Sequence, residues 1–156
     1  MKRIEIISGL TGIIACLSIL PGIATASGGG SNDEATQPDP YKQAQQLIDD
    51  DKYTQAIPIL KKLINDHGAY ADALNLLGYS YRKSGDANTA LTYYNQALQM
   101  EPKHLGANEY LGELYLELKQ PDKANERLAV LKAACGDCDE YEDLSRAITK
   151  YKSASN

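Results

Sequence analysis

The sequence predicts an all-α fold, a solenoid of three helix-turn-helix repeats followed by a C-terminal capping helix. The first observation is that the pair Leu77-Gly78 returns as Leu111-Gly112, 34 residues later. The second is that apolar residues recur at spacings of three and four between turn-prone segments, as in amphipathic helices. A period between about 20 and 50 residues indicates stacked units that bury their apolar faces against one another.

Residues 1–26 have the pattern of a cleavable secretory signal. A basic start precedes an apolar run from Ile6 to Leu20, and Ala24-Thr25-Ala26 offers small residues for cleavage. The run is shorter than the roughly 20 residues of a membrane span. We therefore predict export to the periplasm or secretion, with membrane contact only during export. Residues 27–40, rich in Gly, Ser, Asp and Pro, are predicted to be a flexible linker.

An alternative for the N-terminus is processing as a lipoprotein. The segment Ile13-Ile14-Ala15-Cys16 resembles the box at which bacterial lipoproteins are cut and acylated, which would place a lipid anchor on Cys16. The apolar residues that follow Cys16 argue against this, because lipoproteins more often continue with polar residues. Cleavage after Ala26 is the interpretation we favour.

The charge balance excludes nucleic acid as a partner. Residues 1–26 contain Lys2, Arg3 and Glu5, so their removal takes the formal net charge of the chain from −5 to −6. A surface with this acidic excess repels the phosphate backbone. Phe and Trp are absent, so the 11 tyrosines are the whole aromatic supply.

The predicted domain covers residues 41–152, and its repeats are about 37–70, 71–104 and 105–138. The first repeat has a helix from Tyr41 to the acidic turn at residues 49–51, and a returning helix over 53–65. Pro58 is tolerable near the first turn of that second helix.

The second and third repeats follow the same plan, and a capping helix over 139–152 closes the array. The second repeat turns at Ser84-Gly85-Asp86. In the third repeat Asp122 is expected to be an N-cap, because its short carboxylate can accept from free backbone N–H groups. The start of the capping helix is close to a capping box.

The second repeat resembles the tetratricopeptide repeat family. The family pattern is matched by Leu77, Gly78, Tyr81, Ala90, Tyr94, Ala97 and Pro102, and more weakly in the third repeat by Leu111, Gly112, Tyr115 and Ala124. The small residues let helix axes approach closely. This resemblance covers about two-thirds of the chain. It implies the fold strongly and a particular ligand only weakly.

In this family the first helices of successive repeats line a concave groove that holds a peptide. The resemblance implies a protein or peptide ligand here, with a lining of Tyr41, Gln45, Asp49, Asn75, Tyr79, Arg82, Lys83, Glu109, Glu113 and Glu117. The three glutamates lie four residues apart on one helix face, which favours a partner with basic residues or is a solvated surface. Arg82 and Lys83 are expected to dock a partner carboxylate. The family's clamp for chaperone tails is not expected, because Glu109 and Glu113 stand where it needs basic residues.

Cys135 and Cys138 are predicted to form a structural disulfide between the third repeat and the capping helix. A redox-active pair is an alternative, because Cys138 precedes a helix start, where a thiol pKa is lowered. Metal binding needs further ligands, and only His67 and His104 are available besides acidic residues; both are expected to be exposed turn residues.

No catalytic residue or cofactor site is predicted. The sequence has no Gly-rich phosphate loop after a strand and no nucleophile with a base and an orienting group. Its carboxylates are expected in surface rows without an apolar pocket that raises a pKa. We therefore predict a non-catalytic binding scaffold. The alternatives are a thiol-disulfide or metal-handling factor that uses Cys135 and Cys138, and a structural assembly or self-association module.

Overall fold

The computed structural model describes residues 39–154, and every regular element in that range is an α-helix. The prediction of an all-α fold is confirmed. The seven helices are α1 Pro40–Asp49, α2 Tyr53–His67, α3 Ala71–Lys83, α4 Ala87–Met100, α5 Leu105–Glu117, α6 Pro121–Cys135 and α7 Asp139–Ala154. The predicted signal peptide, Cys16 and nearly all of the predicted linker lie outside the described residues.

The helices form three packed pairs, α1 with α2, α3 with α4 and α5 with α6, and α7 packs on both α5 and α6. Helices α1, α3, α5 and α7 also pack in series, each against the next. Helices α3, α5 and α7 begin at Ala71, Leu105 and Asp139, at intervals of 34 residues. Helix α7 therefore occupies the place of the first helix of a fourth repeat. We call the face formed by α1, α3, α5 and α7 the groove face.

The turn inside each helix pair has the same backbone geometry. Asp51, Gly85 and Lys119, spaced 34 residues apart, have φ values of 59°, 91° and 58°. The next residue in each turn donates its N–H to a carbonyl five residues earlier; in the second repeat Asp86 N lies 2.9 Å from Tyr81 O. This left-handed C-terminal motif satisfies carbonyls that the helix leaves without partners. The shared turn explains why each second helix returns along the first.

Two glycines allow close approach of neighbouring helices. A Cβ atom at Gly78 would lie 2.8 Å from Cδ1 of Tyr94, and one at Gly112 would lie 2.5 Å from Cδ2 of Leu144. Both neighbouring side chains are fully buried. The recurring Leu-Gly pair thus places a glycine where α3 meets the ring of Tyr94 in α4 and where α5 meets the side chain of Leu144 in α7.

Two helix starts differ in detail from the sequence prediction. Helix α6 begins at Pro121 after Gln120, so the expectation that Asp122 is the N-cap was wrong. Proline suits the first helical position because its φ is preset and it has no N–H to leave unsatisfied. Asp122 lies in the first turn, where its charge still complements the helix dipole. Helix α1 begins at Pro40, and the Asp39 side chain caps it by accepting from Tyr41 N at 2.9 Å.

None of the helices between residues 39 and 154 is long and apolar enough to span a membrane.

Candidate partner-binding groove

A cavity of about 400 Å³ lies on the groove face between α1, α3 and α5. We call it the tyrosine cavity; its lining is Gln45, Ile48, Asp49, Asp51, Tyr53, Leu76, Tyr79 and Tyr110. Helix α1 presents Gln45 and Asp49 one turn apart on the same side, and α3 presents Tyr79. These three residues are among the lining predicted from the sequence, and the structure brings them together.

The two other tyrosines of the cavity, Tyr53 and Tyr110, were not predicted from the sequence. Tyr110 occupies in α5 the position that Leu76 occupies in α3, 34 residues earlier, so the repeat register contained a signal for it. Tyr53 begins α2, a second helix, and the register of first helices gave no reason to include it. The absence of Phe and Trp, which leaves tyrosine as the only aromatic residue, was the one further signal.

The tyrosine rings form a continuous aromatic row. The ring centroids of Tyr53 and Tyr79 are 6.0 Å apart, and those of Tyr79 and Tyr110 are 4.6 Å apart. Such edge-on and tilted contacts are the favourable arrangements for aromatic pairs. Nζ of Lys83 lies 5.7 Å from the Tyr53 ring centroid and 5.9 Å from that of Tyr79. The hydroxyl of Tyr53 donates to the carboxylate of Asp51.

Arg82 is an internal tie between α3 and α5 rather than an open docking group. Its Nη2 lies 2.5 Å from Glu113 Oε2, its Nε lies 3.3 Å from Glu117 Oε1, and its Nη1 donates to the Tyr110 carbonyl at 3.0 Å. The side chain is 8 % exposed. The expectation that Arg82 docks a partner carboxylate was therefore wrong, because two carboxylates of the protein already balance its charge.

Glu109 is buried, although its register position suggested an exposed lining residue. Only 7 % of it is exposed. Burial raises its pKa from the ordinary 4.5 to about 8, and the negative charges of Glu113, Asp143 and Glu140 act in the same direction. At neutral pH this carboxyl is mostly protonated. It therefore corrects two expectations, that Glu109 adds charge to an acidic row and that no carboxylate has an environment that raises its pKa.

Asn75 is also buried, with 6 % of the residue exposed, so it does not offer its amide to the groove as expected. A Cβ atom at Gly106 would lie 2.9 Å from Asn75 Nδ2, which shows that the amide fills the space beside that glycine. Contact between α3 and α5 is the physical reason for its burial. Apart from Arg82, the remaining predicted lining residues divide into the partly buried Tyr41, Tyr79 and Glu113 and the exposed Gln45, Asp49, Lys83 and Glu117.

Cys135 and Cys138 are joined by a disulfide that links the end of α6 to the start of α7. Gly136, at φ 76°, supplies the left-handed residue of the intervening turn. Within residues 39–154 no group of three or more His, Cys, Asp and Glu side chains is arranged to hold a metal ion.

His104 is not the exposed turn residue that the sequence suggested. It caps α5: its Nδ1 accepts from Ala107 N–H at 3.1 Å, and its Nε2 lies 2.9 Å from Asp72 Oδ1. The side chain is 11 % exposed. Both ring nitrogens are thus engaged. His67, the last residue of α2, is exposed as expected.

Comparison with known proteins agrees with this architecture. Residues 81–148 match the sequence profile of the family described as tetratricopeptide repeat. The uncharacterized protein ycf37 of Pyropia yezoensis is 32 % identical over 62 residues, which cover 40 % of this chain and 35 % of that protein. The match therefore spans about a third of the length of this curated relative.

Two solved structures share the fold at low sequence identity. One is the Yersinia enterocolitica type III secretion chaperone SycD in complex with a peptide of the translocator YopD, with a TM-score of 0.63, 18 % identity and coverage of 74 % of this chain and 88 % of that one. The other is PcrH in complex with the chaperone binding region of PopB, with a TM-score of 0.62, 19 % identity and coverage of 78 % and 98 %. Together with the profile match over residues 81–148 and the repeated helix pairs, these similarities show that the described residues have the fold of tetratricopeptide repeat proteins.

Proposed function

We propose that the protein is an exported, non-catalytic scaffold that binds a protein or peptide segment on its groove face. The observation that carries this proposal is the tyrosine cavity, which opens between three first helices and presents aromatic rings beside exposed polar groups. Tyrosine combines a large apolar ring with a polar hydroxyl, which suits it to binding surfaces that are exposed to water before the partner binds. The cavity is supported by rigid helices, so its shape exists before a partner arrives.

The structural neighbours support binding of a protein segment as the general activity. SycD and PcrH are described in complexes with segments of other proteins, a peptide of YopD and a region of PopB. At identities of 18 % and 19 % they support a class of function, whereas the chemistry of the partner depends on the residues of this chain.

The two histidines support a role without catalysis. A general base needs a nitrogen that can take a proton from a substrate. In His104, Nδ1 accepts a backbone N–H and Nε2 contacts Asp72, so both nitrogens hold the start of α5 in place. His67 is exposed at the end of α2. His104 therefore has a structural role.

Binding at the groove face predicts a specific loss when Tyr79 is removed. A library of immobilised peptides probed with the purified protein should contain binders whose affinity falls about tenfold or more in Tyr79→Ala, because a central aromatic contact is typically worth at least 1 kcal/mol. Gln96→Ala, on the exposed side of α4, is the matched control and should bind like the parent. Equal binding by both variants would place the site elsewhere, and a library without binders would contradict the proposal.

Export predicts a defined processed chain. When the full-length protein is expressed in a bacterium with an outer membrane, the periplasmic fraction should contain a chain whose mass corresponds to a start at Ser27. A chain that lacks residues 2–26 should stay in the cytoplasm. Retention of Met1 in the cytoplasmic fraction would argue against export, and a lipid-modified chain that begins at Cys16 would replace the cleavage site with the lipoprotein alternative.

A further inference from the structure

We propose that the tyrosine cavity is a recognition site for a cationic side chain, lysine or arginine, of the bound segment. This inference rests on the proposed function and deepens it by naming the partner chemistry. The cavity combines three tyrosine rings, Tyr53, Tyr79 and Tyr110, with two carboxylates, Asp49 and Asp51. Ring faces attract cations, and carboxylates add charge-assisted hydrogen bonds.

The protein already uses these rings as cation sites. The guanidinium carbon of Arg82 lies 5.8 Å from the Tyr79 ring centroid and 6.0 Å from that of Tyr110. Nζ of Lys83 lies at similar distances from Tyr53 and Tyr79. A ring has two faces, and Lys83 is an exposed side chain on a flexible stem. An incoming cation can therefore bind a ring face that Lys83 and Arg82 leave open, or it can displace the Lys83 ammonium from the rings.

The carboxylates of the cavity have capacity for a ligand. Asp49 is exposed and forms no ion pair with any other residue in the range 39–154. Asp51 accepts one hydrogen bond, from the Tyr53 hydroxyl, and a carboxylate has acceptor sites for more. A cation that enters between these two groups would meet negative charge on one side and electron-rich rings on the other.

An anionic ligand fits less well. Arg82 is the buried cation nearest to the rings, and Glu113 and Glu117 balance its charge. Lys83 remains, with its Nζ near the Tyr53 and Tyr79 rings, but the lining of the cavity itself contains two aspartates. The cavity volume of about 400 Å³ lies in the range of small-ligand sites, roughly 300–1,000 Å³, and accommodates one long side chain rather than a folded element.

Binding of short peptides that differ in one side chain tests the cation site directly. We would titrate the purified protein with acetylated, amidated pentapeptides Ala-Ala-X-Ala-Ala, where X is arginine, lysine, norleucine or glutamate, and follow the tyrosine ring resonances by NMR. Arginine and lysine peptides should produce saturable shifts at Tyr53, Tyr79 and Tyr110. Norleucine, which keeps the aliphatic stem without the charge, and glutamate should not.

The variants separate the cation site from its alternatives. Asp49→Asn should weaken the arginine peptide about two- to fivefold, whereas Lys83→Ala should strengthen it by a similar factor because a competing cation is removed. Asp122→Asn, the same chemical change at an exposed position of α6, should have no effect. Preference for the glutamate peptide with loss of binding in Lys83→Ala would overturn the inference in favour of an anion site, and equal binding of norleucine and arginine would leave only an apolar site.

The cation site and the proposed groove binding can fail separately in these experiments. If library peptides bind in a manner that depends on Tyr79 but show no preference for arginine or lysine, the cation site is refuted and groove binding stands. If neither the library nor the pentapeptides bind, both are refuted.

Discussion

Replacement of Leu144 by alanine should lower the free energy of unfolding by about 2–5 kcal/mol. Leu144 is fully buried in α7 and belongs to a core cluster with Leu116, Ala124, Leu131 and Ile148. Its methyl groups lie against Gly112 of α5, at the position where a Cβ atom would otherwise stand. Truncation to alanine leaves a cavity between α5 and α7, and both the lost burial and the empty space destabilise the fold.

A double-mutant cycle checks that this contact is the cause. Gly112→Ala alone should destabilise the protein by overpacking against Leu144. In the Leu144→Ala background the new methyl group enters the vacated space, so the double variant should lose less stability than the two single losses added together. Urea unfolding followed by circular dichroism measures all four proteins. Thr149→Ala, on the exposed side of α7, should change little, and equal losses for Thr149→Ala and Leu144→Ala would contradict the packing of α7.

Glu109 should make the stability of the protein decrease as the pH rises from about 5 to 8. Its folded pKa of about 8 exceeds its ordinary value of 4.5, so the folded state holds a proton that the unfolded state releases in that interval. The stabilisation is fully present below the unfolded pKa and is lost as the pH passes through the folded pKa. Each pH unit inside the window removes up to about 1.4 kcal/mol. The charged groups around Glu109 are Glu113, Asp143, Glu140 and Arg82, and three of the four oppose its ionisation.

The variant Glu109→Gln isolates this effect, because glutamine has nearly the same shape and does not ionise. We expect its urea unfolding free energy to vary less between pH 5 and 9 than that of the parent, and to exceed the parent value above pH 8. Glu126→Gln, at an exposed position in α6, is the control for loss of one acidic group. Parallel pH profiles for the parent and Glu109→Gln would show that the buried carboxyl does not hold its proton.

The protonation of Glu109 also changes how the groove face is interpreted. Of the predicted row of three glutamates, Glu109 is buried and mostly neutral, and Glu113 and Glu117 pair with Arg82. Because Glu113 and Glu117 share the single positive charge of Arg82, the row keeps one net negative charge instead of the three that the sequence suggested. Two further carboxylates accessible to a ligand, Asp49 and Asp51, lie beside tyrosine rings. We still propose a cationic partner, but we place its binding site at the tyrosine cavity rather than at the row of glutamates on α5.

Much of the fold was predictable because its determinants are local and periodic. The Leu-Gly pair, the apolar spacing and the turn residues act within one helix or one turn, and the same chemistry recurs every 34 residues. Several groove positions followed from the same register, and Gln45, Asp49 and Tyr79 do line one cavity. Tyr53 did not follow, because it lies in a second helix and reaches the cavity only when α1, α2 and α3 pack.

The sequence by itself determined that this chain is a helical repeat protein, because helix period, turn chemistry and repeat length are properties of short segments. Only the tertiary structure decided which polar residues are accessible and charged. Arg82 pairs with Glu113, which lies 31 residues later in the sequence. The pKa of Glu109 is raised by burial and, among other charges, by α7 residues more than 30 positions later. Ionisation depends on solvation and on distances between groups, and both are set when helices far apart in sequence pack together.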